Sequence, residues 1–248
     1  MPVNLSLQDS VAVITMDNPS KLNALSDEVM DELNEKLCGL EQRASVLILA
    51  GCERAFAAGV DVGEIDSRSY EDAHMGEFID CRWEGIFNVK IPVIAAVSGY
   101  ALGGGFELAL MCDIIIASRN AVFGFPEVNL GIMPGMGGTQ MLTGIVGPKI
   151  ASEIILTGEF FSAARALELN IVSQIADDDQ LMEVTMTLAK KIAQKSPMST
   201  RLIKEAIRVA QNQGLSSGMR AERLMFRSLF STDSKKNCIR DFLRKKKR

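Results

Sequence analysis

Two glutamates, each beside a glycine-rich turn, have the right type and setting to move protons. Glu107 ends the run Gly103-Gly104-Gly105-Phe106-Glu107, and Glu127 follows Phe125-Pro126. A pair of carboxyl groups can divide acid and base roles when their surroundings push their pKa values apart. Glu127 has apolar neighbours, which would desolvate its carboxyl and raise its pKa, as a general acid near neutral pH requires. Glu107 falls in the first turn of a helix. The three glycines before it let another group approach the backbone closely. Free N–H groups at a helix start can hold an oxyanion, and one such donor is worth roughly 3 kcal/mol in a transition state. A second small-residue turn, Ala55-Phe56-Ala57-Ala58-Gly59-Val60-Asp61, could supply another donor. Each feature has a plainer alternative. Glu107 could simply complement its helix dipole, Asp61 could cap a helix in an ordinary loop, and Glu127 could lie on the surface. Gly135 to Gly138 could be a packing turn.

Other chemistries lack their residues. His74 is the one histidine, in the polar stretch Glu71-Asp72-Ala73-His74-Met75, without partners at metal-ligand spacing, and it reads as a solvated loop residue. No G-x-S-x-G elbow accompanies it. No G-x-x-x-x-G-K-[ST] occurs, and Gly135-Met136-Gly137-Gly138 does not complete a dinucleotide fingerprint. Cys38, Cys52, Cys81, Cys112 and Cys238 are irregularly spaced with no C-x-x-C, which predicts reduced thiols and no zinc site. No metal site is expected.

The elements that must position the two acids follow from patterning. Val3 to Leu7 and Val11 to Met16 predict a hairpin, and Ser26 an N-cap for a helix carrying Val29, Leu33 and Leu37 to a stop near Gly39. Val46 to Ala50 is a short apolar run, expected of a strand buried on both faces. An irregular segment from Asp66 to Gly76 should lead into a helix ending near Lys90. The strand Val93 to Val97 follows Pro92, then a helix from Phe106 to Cys112, then strands Ile114 to Ala117 and Ala121 to Phe125. The final third reads as helices: Pro148 starts one, Ser162 caps another, and Pro197, Gly214 and Asp233 punctuate four more from about Asp179. Strand–strand–helix repetition suggests stacked β-β-α turns within an α/β chain.

The 248 residues suit one large α/β domain with a helical appendage, and 47% hydrophobic residues provide for its core. We expect a core over 1–185 and a helical oligomerisation region over 186–248. The net charge of −4 and the pI of about 5.3 argue against nucleic acid as a partner. No apolar run is long enough to cross a bilayer, so no membrane partner is expected. The N-terminus shows neither a secretory signal nor a transit peptide, so a cytoplasmic location is expected.

Taken in order, these segments resemble the enoyl-CoA hydratase/isomerase (crotonase) superfamily over essentially the whole chain. Ala55 to Asp61 looks like its first oxyanion-hole loop, Gly99-Tyr100-Ala101-Leu102-Gly103-Gly104-Gly105-Phe106-Glu107 like its signature, and Pro126-Glu127-Val128-Asn129-Leu130-Gly131 like its second carboxylate loop. Asn18-Pro19, Asn23-Ala24-Leu25 and Leu156-Thr157-Gly158 also match. Val60 stands where alanine is commonest, Gly63 where a polar residue is frequent, and Met141 where arginine is common.

The resemblance implies a spiral of β-β-α units with a helical C-terminal region that builds a homotrimer, often paired into a hexamer. It implies that the backbone N–H groups of Val60 and Gly104 hold a thioester oxygen. Ala58, Asp61, Val62 and Gly63 would line the coenzyme A site, and Phe242 and Lys245 to Lys247 would approach the coenzyme's phosphates. Glu107 would orient water and take its proton, and Glu127 would protonate C2, turning a 2-enoyl-CoA into a 3-hydroxyacyl-CoA in fatty-acid β-oxidation. No cofactor is implied, since coenzyme A is part of the substrate. Having both glutamates favours a hydratase over a 3-enoyl/2-enoyl-CoA isomerase. A non-catalytic RNA-binding or scaffold relative is the third reading. Acyl chain length would depend on the segment from Asp66 to Phe87.

Overall fold

A computed structural model describes residues 3–75, 78–79 and 82–245. Val3–Gln8 (β1) and Val11–Met16 (β2) form the expected hairpin, turning through Asp9 at a φ of 54°. The first helix, Asp27–Leu37 (α1), begins where the Ser26 side chain accepts from the Val29 N–H, with Asp27 and Glu28 in its positive first turn. It buries Val29, Met30 and Leu33 and ends before Gly39, whose φ of 67° suits glycine.

Strands then come in pairs. Val46–Ala50 (β3) is followed by Ala55–Ala57 (β4), and after three short helices, Val62–Asp66 (α2), Tyr70–Met75 (α3) and Gly85–Asn88 (α4), by Val93–Val97 (β5) and Tyr100–Leu102 (β6). The helix Gly104–Leu110 (α5) leads to Ile114–Ser118 (β7) and Val122–Gly124 (β8). The first member of each pair joins one sheet and the second joins another, with successive members parallel neighbours. The chain is therefore an α/β spiral of β-β-α turns, as its patterning suggested.

Beyond β8 lie Gly138–Thr157 (α6), Phe161–Ser162 (β9), Ala163–Glu168 (α7), Gln174–Ala176 (β10) and Leu181–Ala193 (α8). The large sheet runs β1-β2-β3-β5-β7-β10 and the small one β4-β6-β8-β9. Alternate residues of a strand face opposite sides, and β3 shows this at full burial. Leu47 and Leu49 enter the main core, while Val46, Ile48 and Ala50 join a second cluster with Leu181 and Ala189 of α8. The expected division at 185/186 falls within α8.

Pro197–Asn212 (α9), Leu215–Ser228 (α10) and Asp233–Lys245 (α11) complete the chain. α9 is anchored by Lys204, 5% exposed, whose Nζ donates to Asp113 at 2.6 Å and to the Ile91 carbonyl at 2.9 Å. Beyond this anchor, Ile203, Ile207, Leu224, Phe226 and Phe242 are exposed.

Several local expectations are corrected. Within the stretch expected to be irregular, 70–75 form a helix; Gly76 lies outside the described residues. The long helix expected before Lys90 is reduced, among the described residues, to the four residues of α4. α5 starts two residues early, at Gly104, and ends at Leu110. By contrast, Pro148 does start a helical segment as expected, after a break at Gly147, whose φ of 78° and ψ of 164° divide α6. β9 and β10 interrupt the final third, where only helices were expected; strands of two and three residues carry too little alternation to register. Among the described residues, no helix is long and apolar enough to cross a membrane.

Candidate active site

The small sheet delivers three successive strand ends to one place. β4 runs into Ala58-Gly59-Val60, β6 into Gly103-Gly104, and β8 into Phe125-Pro126-Glu127. A cavity of about 510 Å³ lies where these segments meet, lined by Ala58, Val60, Val62, Gly104, Glu107 and Glu127 among others.

Val60 forms a parallel bridge with Leu25. In that bridge the Leu25 N–H donates to the Gly59 carbonyl at 2.7 Å, and the Asp61 N–H donates to the Leu25 carbonyl at 2.8 Å. The flanking peptides therefore serve Leu25, and the Val60 N–H lies on the opposite side of the segment, toward the cavity. Gly104 adjoins it: a Cβ there would lie 3.0 Å from Val60 Cγ2 and 3.5 Å from the Val60 nitrogen. As the first residue of α5, Gly104 has no acceptor for its N–H inside that helix. Among the described residues, two amides without a backbone acceptor thus stand side by side.

Glu107 is 1% exposed. Its Oε1 accepts from the Met136 and Gly138 amides, both at 2.7 Å. No side chain caps α5, and the Glu107 carboxyl, although in the first turn of that helix, is taken up by the Met136 and Gly138 amides. Burial pushes its pKa up, and the amides of Gly138, Met136 and Gly135 pull it back by favouring the charged form.

Glu127 sits on a 3-10 turn, Pro126–Leu130, with its Oε2 buried and unpaired among the described residues. Burial pushes its pKa up to about 7, and the charge of Glu107 adds to the rise, partly offset by its own backbone N–H. The surface alternative therefore fails. Gly103 makes room for this carboxyl: a Cβ there would lie 2.8 Å from Glu127 Oε1, and its φ of 51° already favours glycine. The cavity thus holds two carboxyls in unlike settings, one braced by the Met136 and Gly138 amides and one with a buried Oε2 unpaired among the described residues.

Of the remaining expected residues, Ala58 and Val62 share the cavity. Asp61 and Gly63 stand beside it. Asp61 caps α2 through the Gly63 N–H at 2.9 Å and pairs with Lys21 at 3.0 Å. The Lys21 contact, then the Gly63 amide, lower its pKa. Asp61 also borders a neighbouring cavity of about 400 Å³ with Lys21 and Ser26. Phe242 is exposed on α11. Lys245 ends α11, but its side chain, like Lys246 and Lys247, lies outside the described residues. His74 is exposed as expected, though on α3 rather than a loop, and stacks on Tyr70 at 5.6 Å. Cys38, Cys52, Cys112 and Cys238 are free thiols; Cys81 lies outside the described residues.

Sequence reasoning missed two kinds of residue. The Met136 and Gly138 amides were read only as part of a turn, although glycines opening a helix do signal available donors. Arg68, Phe78 and Ile79 were covered only by the expectation that the segment from Asp66 to Phe87 shapes the acyl pocket, with no role for any one of them. Arg68 lines the cavity, pairs with Asp27 at 2.8 Å and lies 4.1 Å over the Phe78 ring.

Comparison with known proteins places the chain in a family. The model of the enoyl-CoA hydratase/isomerase family matches residues 6–248. A probable enoyl-CoA hydratase of Rhizobium meliloti is 43% identical over 97% of this chain and 94% of its own. A mitochondrial enoyl-CoA hydratase of Pongo abelii is 40% identical over 96% and 83%. The crystal structure of an enoyl-CoA hydratase from Bacillus anthracis superimposes with a TM-score of 0.94 at 33% identity, covering 99% and 97% of the two chains. Sequence, spiral topology and this match over nearly the whole length lead to one conclusion: the chain belongs to the enoyl-CoA hydratase/isomerase family.

Proposed function

We propose that the chain is an enoyl-CoA hydratase, a hydro-lyase that adds water across the C2=C3 bond of a 2-enoyl-CoA. The observation that carries this reading is the Glu107 carboxylate, held by two amides in the cavity that contains the protonatable Glu127. The Val60 and Gly104 N–H groups receive the thioester oxygen as an oxyanion hole. Charge developing on that oxygen during attack at C3 is stabilised there without reorganisation. Glu107, its carboxylate held by the Met136 and Gly138 amides, takes the proton of the attacking water. Glu127, biased toward its neutral form, delivers a proton to C2 as the enolate collapses. The acid, the base and the two donors account for every proton and charge in the step, so the reading invokes no cofactor. Coenzyme A enters as part of the substrate, along Ala58, Val62, Asp61 and Gly63, with Lys245 near its phosphates.

A 3-enoyl to 2-enoyl-CoA isomerase needs only one proton shuttle, and the bracing of Glu107 favours hydration over it. The exposed apolar residues of α9 to α11 support a homotrimer or a hexamer built from two trimers. We place the activity in fatty-acid β-oxidation; rates across enoyl-CoA chain lengths test that placement. The central test adds crotonyl-CoA and follows the conjugated thioester absorbance. Loss of absorbance, abolished in both Glu107→Gln and Glu127→Gln, supports hydration. Full activity in both variants would sink the mechanism.

A further inference from the structure

The Val60 amide is held from behind by a segment that does not line the cavity. The Ala58 N–H donates to the Leu22 carbonyl at 3.0 Å, the Leu25 N–H to the Gly59 carbonyl at 2.7 Å, and the Asp61 N–H to the Leu25 carbonyl at 2.8 Å. The stretch from Leu22 to Leu25 thus grips the residues on both sides of Val60. Its path requires left-handed backbone at two successive residues, Leu22 at a φ of 50° and Asn23 at 54°.

Asn23 fastens that stretch. It is 3% exposed. Its Nδ2 donates to the carbonyls of Ala55 at 2.8 Å, Met16 at 3.0 Å and Phe56 at 3.2 Å. Its Oδ1 accepts from the Asn18 N–H at 2.6 Å, and its own N–H donates to the Asn18 carbonyl at 3.0 Å. One side chain therefore joins the end of β2, the turn after it, and β4, the strand that runs directly into Val60. A carboxamide suits this position chemically. It offers two N–H donors and an acceptor on one short side chain, and asparagine tolerates left-handed φ better than most residues. Aspartate, nearly the same shape, would set a carboxylate against three carbonyl oxygens.

We infer that Asn23 is a positioning residue for the thioester oxygen, fixing the direction of the Val60 N–H through the Leu22–Leu25 brace. This rests on the proposed oxyanion role of Val60. Catalytic geometry tolerates about 0.5 Å of error, so a brace that slackens should weaken polarisation of the carbonyl before it weakens binding.

The test uses the whole protein with butyryl-CoA carrying carbon-13 at the thioester carbonyl, a saturated ligand that cannot be hydrated. Difference infrared spectra report the carbonyl stretch, which falls in wavenumber when donors pull on the oxygen. In the native protein the band should move down on binding. In Asn23→Gly, which keeps the left-handed backbone and removes every side-chain bond, the shift should shrink. With crotonyl-CoA, kcat should fall about 10- to 100-fold, less than the roughly 100- to 1000-fold for losing a donor outright, with KM changed by less than about 3-fold. If Asn23→Gly does not fold, Asn23→Ser, which keeps one donor, should show the same pattern to a lesser degree. A full native shift that persists in the variant, whatever happens to its thermal stability, overturns the inference alone. No shift in the native protein overturns the oxyanion reading and the inference with it.

Discussion

The unlike settings of Glu107 and Glu127 predict how the rate should depend on pH. In the proposed mechanism the productive state for hydration has Glu107 charged and Glu127 protonated. Burial with an unpaired Oε2 holds Glu127 at about 7. Its protonated fraction is then about one half at pH 7, about nine-tenths at pH 6 and about one-tenth at pH 8. Hydration kcat/KM for crotonyl-CoA should therefore fall along an alkaline limb centred near pH 7, about tenfold per unit once past it. Glu107 sets the acid limb; burial pushes its pKa up and the Gly138 and Met136 amides partly offset that rise. The two groups interact, so the limbs belong to the pair. Glu107→Gln adds a check of sign: removing its charge removes one cause of the rise at Glu127. The alkaline limb of whatever activity survives should move to lower pH. The assay is the initial rate of absorbance loss between pH 5 and 9 at constant ionic strength. A flat profile from pH 6 to 8.5, or the same limb persisting in Glu127→Gln, would refute the assignment of Glu127 as the acid.

Three further outcomes follow from the same contacts. Glu127 has a folded pKa raised above its unfolded value near 4.5, so its contribution to stability is present at pH 4 and is lost as pH rises through about 7. Glu127→Gln should accordingly be more stable than the native chain at pH 8, by about 1–3 kcal/mol. That advantage should vanish at pH 4 in matched urea melts; equal differences at both pH values would contradict it. Gly138→Ala places a Cβ 2.7 Å from the Phe125 ring and 2.9 Å from Glu107 Cγ. It should depress kcat by more than tenfold while acyl-CoA binding, measured calorimetrically, changes little; unchanged kcat would show that the Glu107 pocket yields. Lys204→Ala removes the buried partner of Asp113 and should cost about 3 kcal/mol, read as a lowered urea midpoint. A loss under 0.5 kcal/mol, on the scale of an ordinary surface change, would mean that α9 is held by other contacts.

Much of the fold was legible because local rules and tertiary packing agree. Ser26 caps α1 as its type and place suggest, and Val46 to Ala50 is buried on both faces as a continuous apolar run should be. The acids were legible as types beside glycines, and the raised pKa of Glu127 was legible from its apolar neighbours, but the bracing of Glu107 was not. What distinguishes Glu107 is a pair of amides 29 and 31 residues onward, a relation no local pattern encodes. The same holds for Asn23, whose acceptors at Ala55 and Phe56 lie 32 and 33 residues away. The region from Asp66 to Lys90 was misjudged because its helices span only four to six residues, too short for an apolar period to repeat.

The order β4-β6-β8 in the small sheet has a geometric consequence. Hydrogen-bonded strands lie about 4.8 Å apart, and Val60, Gly104 and Glu127 each follow one of these neighbours. The strand ends are therefore spaced by the sheet's own repeat, while the place of Val60, three residues past β4, is set as well by its bridge to Leu25. In the proposed mechanism the first two strand ends supply the donors, and the third, where Glu127 sits, brings the acid to the same carbonyl.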